Sequence, residues 1–186
     1  MKIDINQPLT RNAQRVLNDF SDALFQLVRE QAFEKITVND LCELANYPRS
    51  TFYNYFEDKY DLLNHCWARL LEIIRIDGLG DVTEEQVLVA YFNREYDLLD
   101  ANQEVVAKIL QHNSSVGIRS SLSSYLLNGA NRMFEGALVR RGNIPVELAL
   151  EHCFSTILIV LDWVFIQGRD VSKEEAGEYL KELYGI

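Results

Sequence analysis

Ser50, Thr51 and Asn54 fall close together in the stretch Arg49–Phe56, RSTFYNYF, and share one side of it if it is helical. Short hydroxyls and a carboxamide at that spacing can read base edges: Asn pairs with adenine through two hydrogen bonds, and Ser or Thr bonds to several bases. Phe52 and Phe56 lie on the opposite side, where they can anchor the stretch, and Tyr53 and Tyr55 take the flanks, within reach of phosphate oxygens. Arg49 opens the segment and Lys59 follows it, adding positive charge at both ends. This is chemistry for recognition. Nothing comparable suggests catalysis, because the three histidines (His65, His112 and His152) are far apart, and no paired Cys or His spacing suggests a metal. The chain has no Gly-rich phosphate loop and no nucleophile elbow. Acidic pairs such as Glu84-Glu85 and Glu174-Glu175 fall in first helical turns, where dipole compensation accounts for them. The chain is therefore expected to be no enzyme, with no catalytic residue, metal or cofactor.

A two-turn rod needs a scaffold, and the preceding residues supply one. Val38, Leu41, Cys42 and Ala45 recur at helical spacing, with Thr37 as N-cap and Asp40 completing a capping-box variant. Asn46 stands where the chain must turn, and Asn tolerates the left-handed conformation. Pro48 then opens the reading stretch, where a missing N–H costs nothing. Upstream, Thr10 caps a helix whose Val16, Leu17, Phe20, Ala23, Leu24, Leu27 and Val28 form one apolar stripe. Phe33 and Ile36 close the small core. Asp58 caps a fourth helix, predicted over 59–76.

With these residues in place, the segment Thr10–Ile76 resembles the DNA-binding domain of the TetR/AcrR family of bacterial transcriptional regulators. The likeness rests on Thr37-Val38, Ala45, the run Arg49-Ser50-Thr51-Phe52-Tyr53-Asn54-Tyr55-Phe56, Lys59 and Leu62-Leu63. Asn46 stands where the family usually has Gly, Tyr47 where it has an aliphatic residue, and Pro48 where it has Ser. The resemblance implies an all-α chain: a three-helix helix-turn-helix domain followed by a helical ligand-binding and dimerisation domain. It also implies DNA contact by Thr37, Arg49, Ser50, Thr51, Tyr53, Asn54, Tyr55 and Lys59.

A net charge of −10 tells against general coating of nucleic acid and against a membrane surface. Residues 1–60 carry net −2 and residues 61–186 net −8, so DNA binding must depend on local placement of Arg11, Arg15, Arg49 and Lys59. A hydrophobic content of 48% with three prolines favours a compact, helix-rich globule over a disordered chain. Met1–Leu9 lacks an apolar core of the kind a leader carries, and a cytoplasmic protein is expected. Cys42, Cys66 and Cys153 are odd in number and sit on apolar faces, which fits reduced thiols in cores.

The rest of the chain reads as helices. The segment Asp77-Gly78-Leu79-Gly80-Asp81 is the one clear break, giving domains 1–76 and 77–186. Capping boxes open helices at Thr83 and Ser172; a long helix is expected over 118–141 and another from Pro145 to Gln167. From Cys153 to Ile166 only Ser155, Thr156 and Asp162 are polar, so this helix must be buried on nearly every side. Its apolar run is too short for a membrane span. A partner subunit explains the surplus apolar face, and the resemblance implies a homodimer joined through the last two long helices. Such a dimer would read a palindromic double-stranded operator with half-sites on the order of 34–36 Å apart. A small-molecule effector of unknown identity is expected in the second domain, with Trp67, Tyr125, Asp162 and Trp163 as candidate contacts, although a core or interface role is the favoured reading of each. The favoured function is a ligand-responsive repressor. The alternative is a protein of the same fold that binds another protein without sequence-specific DNA binding.

Overall fold

A computed structural model describes residues 9–74, 83–113 and 144–186. Among them are eight α-helices and no strand: α1 (Arg11–Glu30), α2 (Val38–Ala45), α3 (Arg49–Tyr55), α4 (Lys59–Ile74), α5 (Glu84–Asp100), α6 (Gln103–His112), α7 (Val146–Leu161) and α8 (Lys173–Tyr184). A 3-10 turn at Phe33–Lys35 separates α1 from α2, and a π turn at Asp162–Ile166 follows α7. The expected break at 77–81, the expected helix over 118–141 and Tyr125 lie outside the described residues. The chain divides into two compact units, Met1–Leu70 with Lys108–Ser121, and Leu71–Ala107 with Leu122–Ile186.

The first unit forms around Phe20. The α1 stripe places Val16, Leu17, Phe20, Ala23, Leu24 and Val28 inside, and Thr10 caps the helix by accepting from Ala13 N at 3.2 Å. Ser21 interrupts the stripe at no cost in unpaired groups, because its hydroxyl donates to Leu17 O at 2.7 Å. Phe20 meets Phe52 edge-on at 5.2 Å and Phe56 at 6.1 Å, and those two rings lie 5.3 Å apart. All three are fully buried. Each such ring contributes about 1.5–3 kcal/mol relative to an exposed one, so this trio holds the short α3 in place.

In the second unit, α5, α7 and α8 enclose a separate core in which Leu88, Phe92, Ile157, Ala176 and Leu180 are almost wholly buried. Capping boxes start both flanking helices: Thr83 with Gln86 for α5, and Ser172 with Glu175 for α8. Lys173 ties α8 to α5 by a 2.6 Å ion pair with Asp97. The expectation of one regular helix from Pro145 to Gln167 is corrected at Asp162. There the bonds widen, Gln167 N reaching Asp162 O and Arg169 N reaching Val164 O, each at 3.0 Å. The wider turn keeps Val164 buried and packs the Phe165 ring at 4.9 Å from Tyr96. Gly168, at φ 65°, ends it. No described helix is long and apolar enough to cross a membrane.

Candidate nucleic-acid interface

Three local devices aim the reading face. Thr37 and Asp40 form a reciprocal capping box at the start of α2: Asp40 N donates to Thr37 Oγ1 at 3.2 Å, and Thr37 N donates to Asp40 Oδ2 at 2.8 Å. The Thr37 hydroxyl also donates to Asp40 Oδ2 at 2.8 Å, so its proton is committed inside the box. Asn46 then takes the left-handed conformation, φ 57°, and ends α2 by donating its N–H back to that helix. Pro48 is the residue before α3 and offers no side-chain cap, so the helix begins at Arg49 as expected.

Along α3, Phe52 points inward and Ser50, Tyr53 and Asn54 are exposed, while Thr51 and Tyr55 are half-buried. The division expected from the sequence is thus the one observed. Arg49 leans back along the helix, donating from Nη2 to the Tyr53 hydroxyl at 3.2 Å with its guanidinium 5.7 Å from that ring. Arg49 and Tyr53 therefore present one joined polar edge, beside the hydroxyl of Ser50 and the carboxamide of Asn54. Arg11 and Arg15 are exposed on α1.

Lys59 sits differently from the other seven candidates. Its ammonium donates to Phe33 O, Glu34 O and Ile36 O, each at 2.9 Å, so all three protons are engaged. Burial pulls its pKa below the ordinary lysine value, with Glu34 and Asp58 working in the opposite direction. In this arrangement Lys59 is a clamp on the 3-10 turn and offers the face a charge, with no spare donor.

Sequence reasoning missed a second brace. The Tyr47 hydroxyl donates to Asp19 Oδ2 at 2.8 Å, and its ring lies 5.5 Å from Phe20. That bond raises the Tyr47 pKa. It pins the turn between α2 and α3 to α1 across 28 residues, which no local pattern announces. Behind the face, His65 packs 5.8 Å from Phe56, and burial together with Arg69 lowers its pKa and favours the neutral ring. Of the effector candidates, Trp67 is buried in the first unit. Asp162 is half-buried where the π turn begins, and Trp163 is exposed, edge-on to Tyr179 at 5.8 Å with Arg169 over its ring at 5.7 Å. No group of side chains with metal-binding composition occurs among the described residues.

Residues 21–66 match the family model described as bacterial regulatory proteins, tetR family, a span from the middle of α1 into α4 that contains the whole reading face. Over that span the sequence is that of a TetR-family helix-turn-helix domain. Solved structures of TetR-family regulators share its fold over nearly the full length. A TetR transcriptional regulator from Streptococcus agalactiae is 26% identical with TM-score 0.61, covering 93% of this chain and 96% of its own. A TetR-family regulator from Syntrophomonas wolfei, 20% identical, gives TM-score 0.61 over 94% and 95%. FadR from Bacillus subtilis, solved in complex with stearoyl-CoA, is 18% identical with TM-score 0.57 over 89% and 96%. No curated protein sequence matches the chain. Those proteins are described as transcriptional regulators, and this chain shares their fold and carries a tetR-type helix-turn-helix at residues 21–66.

Proposed function

We propose that this protein is a TetR-family regulator, a ligand-responsive repressor that binds a palindromic operator as a homodimer. The observation that carries the reading is α3 itself: Phe52 and Phe56 are fully buried beneath it, while Ser50, Tyr53 and Asn54 stand exposed above. Ser50, Thr51 and Asn54 read base edges in the major groove. Arg49, Tyr53, Tyr55 and Thr37 meet the phosphates, and Lys59 contributes charge from behind the turn it holds. Residues 1–76 form the reading domain with its connecting helix, and residues 77–186 the regulatory and dimerisation domain. A cytoplasmic site of action follows from the target.

Support for the dimer comes from apolar side chains left in solvent on α7 and α8: Leu148 is 56% exposed, Ile159 61% and Leu183 58%. A second copy packed through the same two helices would cover them. Support for an effector is the shared fold with a regulator that holds stearoyl-CoA; only the expectation of a small molecule in the second domain is carried over. A coupling of roughly 1–3 kcal/mol between effector and operator would change affinity ~5–150-fold.

Selection of bound duplexes from a random pool tests the reading. A two-fold symmetric consensus is expected, and Asn54→Ala should lose it while keeping the wild-type helical content. Recovery of no consensus at low salt would favour the alternative, a TetR-fold protein that acts on another protein.

A further inference from the structure

One buried side chain ties the end of α6 to the corner between α1 and the 3-10 turn. Asn113, the residue after α6, is 3% exposed, and every polar atom of its amide is used. Oδ1 accepts from Phe33 N at 2.7 Å, and Nδ2 donates to Val28 O and to Ile109 O, both at 2.9 Å. Val28 O belongs to the last turn of α1, where carbonyls lack a partner within the helix, and Phe33 N opens the 3-10 turn. One amide therefore satisfies an acceptor and a donor on the two sides of a single corner, some 80 residues back along the chain. Lys59 grips the same turn through the carbonyls of Phe33, Glu34 and Ile36. The next residue, Thr37, caps α2, and α1 carries the Phe20 ring on which α3 rests.

We propose that Asn113 is a positioning residue for the reading helix, through which the end of α6 sets the angle of α2 and α3. This rests on the function proposed above and adds a point of entry for its regulation. The bonds are short, the amide is buried, and it has no competing partner in water, so the corner must follow when residues 109–113 move. Continuity supplies the lever, because α6 begins in the second unit and ends in the first.

Two measurements on Asn113→Ala test this. In hydrogen exchange, the Phe33, Leu41 and Phe52 amides should exchange about 10-fold faster or more, while the cores of α5, α7 and α8 keep wild-type protection. Faster exchange at Phe33 alone, or equally throughout the chain, would overturn the proposal. In operator binding, duplexes carrying the selected half-sites at spacings altered by single base pairs should reveal a sharp wild-type optimum. The variant should flatten it while keeping its affinity for one isolated half-site. An unchanged optimum in a folded variant also overturns the proposal. If Ala prevents folding, Asn113→Asp keeps the acceptor facing Phe33 N and removes only the donors; exchange should then rise in α2 and α3 with Phe33 still protected, and wild-type exchange in α2 and α3 would overturn the proposal. A wild-type protein that selects no DNA, combined with the exchange pattern described, would sink the repressor reading and leave the positioning role standing.

Discussion

The two units differ in how far side-chain hydrogen bonds reach to satisfy buried polar groups. In the first, distant side chains satisfy backbone groups, Lys59 donating to three carbonyls and Asn113 pairing with a carbonyl and an N–H, while the Tyr47 hydroxyl donates to the Asp19 carboxylate. In the second, Glu95 lies buried with Oε1 unpartnered among the described residues, and burial alone pushes its carboxyl up to about 8. The same unit leaves large apolar side chains in solvent. The first unit is not wholly satisfied, since both ring nitrogens of His65 and Nη1 of Arg69 are buried without a hydrogen-bond partner among the described residues; its long-range bonds favour one arrangement where they act, at the corner between α1 and α2 and at the turn before α3. The second unit combines a buried carboxyl whose Oε1 lacks a partner among the described residues with uncovered apolar side chains on α7 and α8.

That contrast can be broken most forcefully at Phe52. Phe52→Ala should cost about 3–5 kcal/mol by opening a cavity among Phe20, Phe56 and α3, read as a large drop in the midpoint of thermal unfolding. A loss below about 1 kcal/mol would show that the reading helix does not depend on its ring.

Glu95→Gln probes the other unit through pH. The folded carboxyl titrates near 8 and the unfolded one near 4.5, so the folded state binds the extra proton between those values. Stability from this group is therefore intact below about pH 4.5 and falls as pH rises towards 8. Gln cannot ionise, so the unfolding free energy of the variant from urea titration should exceed that of wild type at pH 8 by an amount on the order of a few kcal/mol, and converge with it at acid pH. Parallel curves would mean the carboxyl is paired in solution.

Lys59→Met sharpens the role of the clamp. Loss of the ammonium leaves three carbonyls to find other partners, at a cost of roughly 1.5–3 kcal/mol. Circular dichroism melts should report it with no DNA present, which a residue serving only phosphates would not show. The smallest effect is at Asn46: Gly accepts φ 57° without strain, so Asn46→Gly should change stability by less than about 1 kcal/mol, whereas Asn46→Val should destabilise clearly.

What was legible in the sequence was local. Thr10, Thr37, Thr83 and Ser172 cap their helices because cap and partner stand three residues apart, a spacing that can be read directly. The inward Phe52 and Phe56 and the left-handed Asn46 follow from the same short-range rules. Bonds between distant residues were not legible. Asn113 reads as an ordinary loop residue until folding brings it to Val28 and Phe33, and Tyr47 reads as a departure from a family pattern until Asp19 receives its hydroxyl. Lys59 shows the limit most clearly, since its position after the reading helix suggests phosphate and its geometry supplies a clamp. The π turn escaped for another reason: an unbroken apolar run does not reveal where its hydrogen bonds widen.

All three thiols are shut away, Cys42 and Cys66 in the first unit and Cys153 in the second, and burial lifts Cys66 to about 11. A maleimide added to the native protein would find almost no thiolate until a unit opens. Labelling rates at Cys66 and Cys153 thus act as two internal clocks, one timing excursions of each half of the molecule without any engineered probe.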